Sequence, residues 1–418
     1  MEAMVTRTRS RATSLIALVA VVLLLATACS DDSGDESSTE TTVAADDATT
    51  TTVAAEDPPS ESPAAGLRSD LTALFEEQVY LTGFTVQAAA AEGGDIEAPE
   101  AAALAVAGEE SATELSEIFG AAYGVANGAE FLTAWNRHQQ AIVDVGLEGA
   151  VVEIVAPARD AVVATLTTMD PEADFAGVAL ALEDSDDELV TTVQDLAAGT
   201  AGAAVELRTA AEVMPDVTFQ LAEIIATHSA TEGEVDSPES ALRSELTGLL
   251  QESALLTGLA LAEIVEADGN AAAPGPAGVL AAVEENTVAL AGVMEPDDVG
   301  AEASFVVVWS DHIDAFVDYT TALVNDDAAG IDAAQGELVV FRDDLGVLLS
   351  SRYPALTKEA VAEELVPHTD SILAYADARV AEASGAEPVE SARLLREAAL
   401  TMRLAARTIT GGLTAPTS

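Results

Sequence analysis

An internal repeat is the feature of this sequence that most restricts its fold. Residues 67–72 (LRSDLT) recur as residues 242–247 (LRSELT), and the Leu-Thr-Gly at 81–83 recurs at 256–258. The same order continues along both halves, with a slowly drifting offset, in the pairs Phe131 and Phe305, Trp135 and Trp309, His138 and His312, Arg208 and Arg396, and Met214 and Met402. A repeat of this length predicts a tandem duplication, in which both copies adopt one fold.

The composition favours helices for both copies. Hydrophobic residues make up 49% of the chain but aromatic residues only 4%, because Ala and Val supply much of the apolar content. Ala is the strongest helix former, and the aromatic residues that favour strands are few. We therefore predict an all-α fold: two tandem homologous helical bundles of about six helices each, at residues 67–232 and 238–412, after a disordered tether.

Turn residues between the apolar-periodic segments give the expected helix limits. The predicted helices lie near 65–92, 98–122, 129–146, 150–168, 172–197 and 201–228 in copy one, and near 238–267, 276–294, 299–324, 328–351, 356–382 and 388–411 in copy two. Asn127-Gly128 is among the predicted turns. Pro215 is expected to break or kink the sixth helix of copy one, because proline removes a helical hydrogen bond.

The charge excludes one class of partner. The chain carries 73 acidic and 16 basic residues, a formal net charge of -57, and Lys358 is its single lysine. Such a surface repels phosphate backbones and anionic lipid headgroups, so we expect no nucleic-acid binding and no body lying flat on a membrane. Loose binding of cations is compatible with it.

The N-terminus has the pattern of an export signal. Arg7, Arg9 and Arg11 precede an uncharged apolar run over 14–26, which is short for a membrane span. Small residues follow and end at Cys29, the only cysteine, so intramolecular disulfides are excluded. Residues 26–29 (ATAC) resemble the lipobox of bacterial lipoproteins, with Ala26 where Leu is commoner. The resemblance implies a signal peptide at 1–28, diacylglycerol on Cys29, and attachment to the outer face of the cytoplasmic membrane.

The segment after the cysteine is predicted to be a spacer. Residues 30–66 contain no lysine or arginine and no large apolar residue beyond Val43 and Val53. Such a composition buries too little apolar surface to fold. We predict that residues 29–66 form the lipidated residue and a disordered acidic linker.

Helical phase places several polar residues on the apolar faces of copy two. At 100° per residue, His312 lies among Phe305, Trp309 and Phe316, and His368 is central on the face of the fifth helix. Met402, Ser253 and Asn286 take similar inner positions on other helices. In copy one the equivalent inner residues are His138, Gln78, Ser111, Ser185 and Met214.

Two interpretations of these residues stay open. A histidine on an apolar face commonly has one hydrogen-bond partner and a packing role, and the two tryptophans are expected to be core anchors. Alternatively, His312, His368 and Met402 form a copper site, because imidazole and thioether suit that ion. Iron or zinc would draw on the carboxylates of Glu252, Glu284 and Glu285, and His138 and Met214 would be the degenerate counterpart in copy one.

The last helix carries a stripe of arginines. Arg393, Arg396, Arg403 and Arg407 fall within an 80° sector of one helix. Pairing with acidic residues of the body is the first expectation. The alternative is a cationic surface for an anionic partner.

The repeat resembles a group of secreted helical proteins of actinobacteria and bacilli, which carry W-x-x-H, a Pro-His pair and a late His-Met pair in one domain. Trp309-x2-His312, Pro367-His368 and Trp135-x2-His138 match these motifs. Thr401-Met402 and Val213-Met214 lack the late histidine, and Glu77-Gln78 and Glu252-Ser253 stand where a Glu-His pair is expected. If the histidines of relatives bind a metal, these departures imply weakened binding here. The group supplies no settled activity.

Catalytic signatures are missing from the sequence. It contains no G-x-S-x-G, P-loop, G-x-G-x-x-G or H-E-x-x-H motif, and lipidation would occupy the one cysteine. We therefore predict a membrane-anchored, extracytoplasmic lipoprotein with a non-enzymatic binding or structural role, whose partner is an envelope protein or a cation. Metal binding in copy two is the alternative, and an enzyme of unfamiliar type is the remaining possibility.

Overall fold

The computed structural model describes residues 59–149, 152–200, 202–295, 298–386 and 389–415. All regular elements among these residues are helices, so the predicted all-α class is confirmed. Beside two short 3₁₀ turns at Pro59–Glu61 and Val152–Ile154, the helices are α1 (Pro63–Ala91), α2 (Pro99–Tyr123), α3 (Val125–Glu148), α4 (Val155–Met169), α5 (Ala176–Ala197), α6 (Ala203–Ala211), α7 (Met214–Ser229), α8 (Pro238–Glu266), α9 (Pro274–Met294), α10 (Val299–Val324), α11 (Ala328–Arg352), α12 (Lys358–Glu364), α13 (Val366–Ala383) and α14 (Val389–Leu413).

The first helix of each copy begins in the same way. Ser62 and Ser237 are the N-caps of α1 and α8, and their hydroxyls accept hydrogen bonds from Ala65 N (3.2 Å) and Ser240 N (3.1 Å). A proline follows each cap, where its missing N–H costs nothing and its fixed φ suits the first turn. Both helices run for 29 residues, most of them buried.

These two helices pack against each other at the centre of the molecule. The hydroxyl groups of Ser69 and Thr247 are 2.8 Å apart, and those of Thr72 and Ser244 are 2.7 Å apart. Because Ser69 aligns with Ser244 and Thr72 with Thr247, the second bond is the first with the copies exchanged. Two-unit contacts related by a twofold rotation have this reciprocity.

The arginines beside these hydroxyls also make equivalent hydrogen bonds in both directions between the copies. Arg68 donates to the Val235 carbonyl at 3.0 Å, and its counterpart Arg243 donates to the Ser60 carbonyl, also at 3.0 Å. Ser60 and Val235 are themselves equivalent positions. The contacts between the two repeated segments are therefore pseudo-symmetric.

The core continues from one copy into the other. The largest cluster of buried apolar residues includes Phe75, Trp135 and Leu207 of copy one together with Leu259 and Phe316 of copy two. A second cluster, around Trp309 and Met402, belongs to copy two alone. All described residues fall within one compact unit, so the division into two separate bundles is not confirmed and stays a prediction.

Several predicted boundaries were wrong for local reasons. Asn127-Gly128 lies inside α3, and the chain turns instead at Gly124, whose φ of 97° suits a residue without Cβ. The linker was predicted to reach Gly66, but α1 begins at Pro63 and buries Ala64 and Ala65 fully. Cys29, the export signal and the tether up to residue 58 lie outside the described residues.

The predicted break near Pro215 is confirmed. α6 ends at Ala211 and α7 begins at Met214, with Pro215 in its first turn. Copy two has a comparable break that was not predicted, between α12 and α13, where Pro367 stands in the first turn of α13. In both places proline is accommodated by starting a new helix.

Two described helices, α8 and α9, are long and apolar enough to cross a membrane. The apolar window of α8 is 89% buried inside the protein. The core position of α8 accounts for its composition, because a helix surrounded by other helices is apolar on all sides.

Candidate binding sites

The two histidines predicted to point inward in copy two lie close together in the core. His312 on α10 is 1% exposed and His368 on α13 is 3% exposed, and their ring centroids are 6.4 Å apart. His312 Nδ1 contacts the Trp309 carbonyl oxygen, and its ring stacks on Phe341 at 4.2 Å. Met402 is fully buried in the same copy, in the apolar cluster that contains Trp309.

Burial keeps both imidazoles neutral. It lowers the pKa of His312 to about 3, with a further contribution from His368, and it lowers the pKa of His368 to about 4. His368 bonds to the backbone of Ala398, while its Nδ1 has no hydrogen-bond partner among the described residues. A neutral imidazole with an unshared ring nitrogen is the form that binds a metal.

The equivalent histidine of copy one has a different surrounding. His138 Nε2 is 2.7 Å from Asp186 Oδ1, and Arg159 Nη1 lies 3.6 Å from the other oxygen of that carboxylate. Met214 lines the same space, a cavity of about 10 Å³ that is large enough for about one water molecule. A charged network thus replaces the second histidine in this copy.

Polar residues on the first helices hold the two tryptophans. Trp135 Nε1 donates to Gln78 Oε1 at 3.2 Å, and Trp309 Nε1 donates to Ser253 Oγ at 3.3 Å. Gln78 and Ser253 are equivalent positions, and both were predicted to point inward. A buried indole N–H needs such an acceptor, so these residues have a structural role that the helical phase alone did not reveal.

The arginine stripe of α14 contacts acidic residues of its own chain. Arg396 and Arg403 are largely buried and lie 3.3 and 3.4 Å from the oxygens of Glu77, which is 0% exposed. Arg393 pairs within α14 with Glu390 and Glu397, each at 2.7 Å, and Arg407 pairs with Glu61 at 3.1 Å. All four guanidinium groups therefore have carboxylate neighbours.

Two of the ion pairs between the copies are also reciprocal. Glu77 of copy one meets Arg396 of copy two, and Glu252 of copy two meets Arg208 of copy one at 3.0 Å. Glu252 is the counterpart of Glu77, and Arg208 of Arg396. The carboxylate of Glu252 also accepts from Tyr80 (2.7 Å) and Asn286 (2.8 Å), so Glu252 is occupied with internal bonds rather than free to bind a metal.

A cavity of about 770 Å³ lies where the two copies meet, at the ends of α1 and α8. We call it the junction cavity. Its apolar walls come from both copies, through Phe84, Leu104, Leu196, Leu259, Val265 and Leu395. The volume falls within the range of pockets that enclose drug-sized organic molecules.

Polar groups are concentrated on one part of this wall. Arg379 on α13 is 6% exposed and contacts Glu100 (2.6 Å), Glu382 (3.1 Å) and Glu266 (3.4 Å). Glu263 accepts from Gln87 Nε2 at 2.5 Å. One arginine thus stands among four carboxylates, and the polar part of the cavity carries an excess of negative charge.

Burial shifts the protonation of these groups. It raises the pKa of Glu263 and of Glu266, and Glu100 raises both further while Arg379 opposes the shift. It also raises the pKa of Glu382 and of Tyr375. Perturbed pKa values that line one concave site mark it as a candidate functional site.

The two copies do not contribute equally to the junction cavity. When His368 is aligned with Ser185, the counterparts of Tyr375 and Arg379 in copy one are Thr192 and Leu196. A smaller cavity of about 200 Å³ lies beside copy one's α5 and α6 and shares Gln87 and Glu263 with the larger one. Most of the polar wall therefore comes from copy two, while copy one supplies Glu100 and Gln87.

Sequence reasoning missed this cavity. Glu263, Glu266 and Arg379 look like ordinary surface charges on a helical projection, because each lies near the polar end of its helix. A comparison of the two copies gives one sequence signal for this cavity. Copy one has Ala88 and Ala91 at the positions where copy two has Glu263 and Glu266.

Comparison with known proteins adds no relative. No protein-family model, no curated protein and no solved structure matches this chain.

Proposed function

We propose that this protein is a lipid-anchored, extracytoplasmic binding protein without enzymatic activity, and that its ligand occupies the junction cavity. The observation that carries the proposal is the cavity itself, about 770 Å³ with apolar walls and a cluster of polar groups on one side. Pockets that bind small molecules commonly have this composition, with few polar groups that fix the ligand's orientation.

The packing of the copies supports a binding role. Two rigid halves held by reciprocal hydrogen bonds and a shared core give the cavity fixed walls, so little ordering is needed when a ligand enters. The lack of familiar catalytic motifs in the sequence also supports a non-enzymatic role.

A bulky residue in the cavity wall tests the proposal. Ala88 lines the cavity and is partly buried, so Ala88→Trp should fill part of it. Ala333→Trp, at an exposed position of α11 outside the lining, is the matched control. Native mass spectrometry of protein purified from its own envelope should show one small molecule with the wild type and with Ala333→Trp, but not with Ala88→Trp. Turnover of a substrate that Ala88→Trp abolishes would contradict a non-enzymatic role.

The anchor is a separate part of the proposal and needs its own test. Cys29 follows the apolar run and is the only thiol available for acylation. Mass spectrometry of the mature N-terminus should find a diacylglycerol thioether and an N-acyl chain such as palmitate, and Cys29→Ser should release the protein from the membrane. An unmodified thiol, or residues 1–28 still attached, would remove this part.

Metal binding in copy two is the second candidate function. It is favoured by one observation, the 6.4 Å separation of two buried neutral imidazoles, one of which has an unpartnered Nδ1. Copper would suit these nitrogens with Met402, and iron or zinc would need ligands beyond them. Among the described residues, no group of three or more His, Cys, Asp and Glu side chains could hold a metal ion, so any site would depend on the thioether.

Elemental analysis decides this second candidate. After loading with copper and removal of free metal, the wild type and His228→Ala should retain one equivalent, because His228 is a half-exposed histidine paired with Asp170 on the surface. His312→Ala and His368→Ala should retain none. Equal metal content in all four proteins would exclude the site.

A further inference from the structure

We infer that the ligand of the junction cavity is an organic cation, an amine that carries an apolar body. This inference rests on the proposed function and names the chemical class that the cavity would take. It depends on three features of the wall: its charge, its unsatisfied polar atoms and its apolar surface.

The charge of the wall selects for a cation. Glu100, Glu263, Glu266 and Glu382 surround the single guanidinium of Arg379, which is already in contact with three of them. An anion entering the cavity would meet this excess of carboxylates. An ammonium group would relieve their mutual repulsion, and it would do so in a partly desolvated site where charge interactions are stronger than in water.

Several polar atoms of the wall lack hydrogen-bond partners in the described part of the chain. Arg379 Nε is a donor, whereas Gln87, Tyr375 and Glu382 offer oxygens to which an amine could donate. Tyr375 is 4% exposed and lines the cavity, yet among the described residues its hydroxyl has no hydrogen-bond partner. Gln87 Oε1 is buried at the same wall and has none either. The unsatisfied Gln87 Oε1 is costly and points to a missing donor, and the Tyr375 hydroxyl, which is not among the fully buried unsatisfied atoms, is open to the cavity as a second acceptor for N–H groups of a ligand.

The Tyr375 ring adds a second contact for the same ligand. An aromatic ring beside a cation contributes an electrostatic attraction through its negative face. The apolar side chains of Phe84, Leu259 and Leu395 line other parts of the wall, where they can contact the apolar body of an organic ligand but cannot coordinate a small hydrated ion.

A metal ion fits this wall less well than an organic cation does. Within the described ranges, no cluster of three or more Asp, Glu, His or Cys side chains could hold a metal, so the carboxylates do not converge on one point. A dehydrated hard cation such as Ca²⁺ needs several oxygens that converge on one point, whereas an amine needs two or three separate acceptors.

A pair of fluorescent probes tests the inference on the full mature protein. Dansylcadaverine has a primary ammonium group on a flexible chain and an aromatic body, and its N-acetyl derivative keeps the body without the charge. We expect the amine to bind at least about tenfold more tightly than the acetyl derivative, since only the amine compensates the carboxylates.

Matched variants assign the effect to the cavity. Glu266→Gln should weaken binding of the amine about tenfold and leave the acetyl derivative unchanged, because it removes one carboxylate from the wall without changing its shape. Glu337→Gln removes the same charge from an exposed position of α11 outside the cavity and should change neither.

Each other outcome overturns the inference and can be told apart from failure of the proposed function. If both probes bind equally and Ala88→Trp blocks both, the cavity is a binding site but not one for cations. If Glu337→Gln weakens the amine as much as Glu266→Gln does, the attraction is that of the whole acidic surface. If neither probe binds at millimolar concentration, the organic-cation assignment is wrong, and the proposed function still stands or falls on the co-purified molecule.

Discussion

Glu76 on α1 and Gln251 on α8 are equivalent residues in the two copies, and they show how one atom changes the chemistry of a buried site. Gln251 Nε2 donates to the Ala73 carbonyl of the other copy at 2.7 Å. Glu76 lies over Gly248, the counterpart of Ala73, and a Cβ at that glycine would be 2.5 Å from Glu76 Oε2. Burial raises the pKa of Glu76 well above its ordinary value, and the charges of Glu252 and Glu212 raise it further.

We predict that Glu76→Gln stabilises the protein and reduces its pH dependence. Because the folded-state pKa of Glu76 is raised, its contribution to stability is fully present below the unfolded pKa and is lost as pH rises through the folded pKa. A glutamine carries no such charge and can donate to Gly248 as Gln251 does to Ala73. The free energy of unfolding in urea should therefore rise by at least about 1 kcal/mol near pH 8 and by less near pH 5.

Glu337→Gln is the control for this prediction, because Glu337 is exposed and should change the free energy of unfolding little at either pH. A Glu76→Gln protein that is less stable than the wild type near pH 8 would show that the Glu76 carboxylate makes a bond worth more than its desolvation.

Between the helices of the two copies, ion pairs are buried to very different degrees. Glu77 is 0% exposed between Arg396 and Arg403, while Glu114 is 38% exposed and contacts the same two arginines at 2.6 and 3.6 Å. Water can replace the second carboxylate but not the first. Because Glu77 and Glu114 share the same arginine partners, substitutions of these two residues measure the effect of burial on the stability contributed by an ion pair.

We predict that Glu77→Ala costs about 3 kcal/mol of unfolding free energy, because it leaves guanidinium charge buried without its innermost partner. Glu114→Ala should cost less than about 1 kcal/mol, as exposed pairs generally do. Chemical denaturation of both variants measures the difference. Equal losses would mean that the α14 arginines, and not the burial of Glu77, set the cost.

Helices α2 and α3 of copy one approach each other closely at Gly128. A Cβ there would lie 2.9 Å from Gly120 Cα and would also strike the Ser116 carbonyl oxygen, both of which are backbone atoms of α2. Gly292, in the last turn of α9, has open space where a Cβ would stand, with no neighbouring atom within 4 Å. A side chain at position 128 would therefore clash with the neighbouring helix, whereas a side chain at position 292 would not.

We predict opposite effects of the same substitution at these positions. Gly128→Ala should lower the free energy of unfolding by about 2 kcal/mol, because α2 and α3 must separate. Gly292→Ala should raise it by about 0.5 kcal/mol, the lower end of the helix-interior range, since alanine loses less chain entropy in a helix and position 292 is in the last turn. Thermal unfolding followed by circular dichroism tests both, and a destabilised Gly292→Ala would contradict the open surroundings of that position.

Sequence reasoning succeeded in identifying which side of a helix faces inward. The helical phase of α10 and α13 correctly buried His312 and His368, because the apolar residues around them fix which side faces inward. It could not place the two rings 6.4 Å apart, since depth along the bundle depends on how α10 and α13 are shifted against each other. It also could not find the junction cavity, whose walls are brought together only by the packing of α1 on α8.

At the scale of the whole molecule, the surface that the two copies share contributes more to holding them together than the peptide segment that connects α7 to α8. Ser69, Thr72 and Arg68 bond to copy two, and their counterparts return the same bonds to copy one. The largest apolar cluster crosses the same boundary. A chain held in this way should remain one body even if the segment between α7 and α8 is cut.

We predict that a protease site inserted between Gly233 and Glu234, both exposed, can be cleaved without separating the halves. The nicked protein should elute in size-exclusion chromatography at the position of the intact chain, because the cut peptide itself makes none of the apolar contacts or reciprocal hydrogen bonds between the copies. The flanking Glu232 and Val235 keep their bonds to Ala64 N and Arg68. Calorimetry of the uncut protein should give one transition, since neither copy can unfold without exposing the core of the other. Halves that separate in native buffer, or two resolved transitions, would mean that each copy is stable alone and that the contact between α1 and α8 is only a docking of finished bundles.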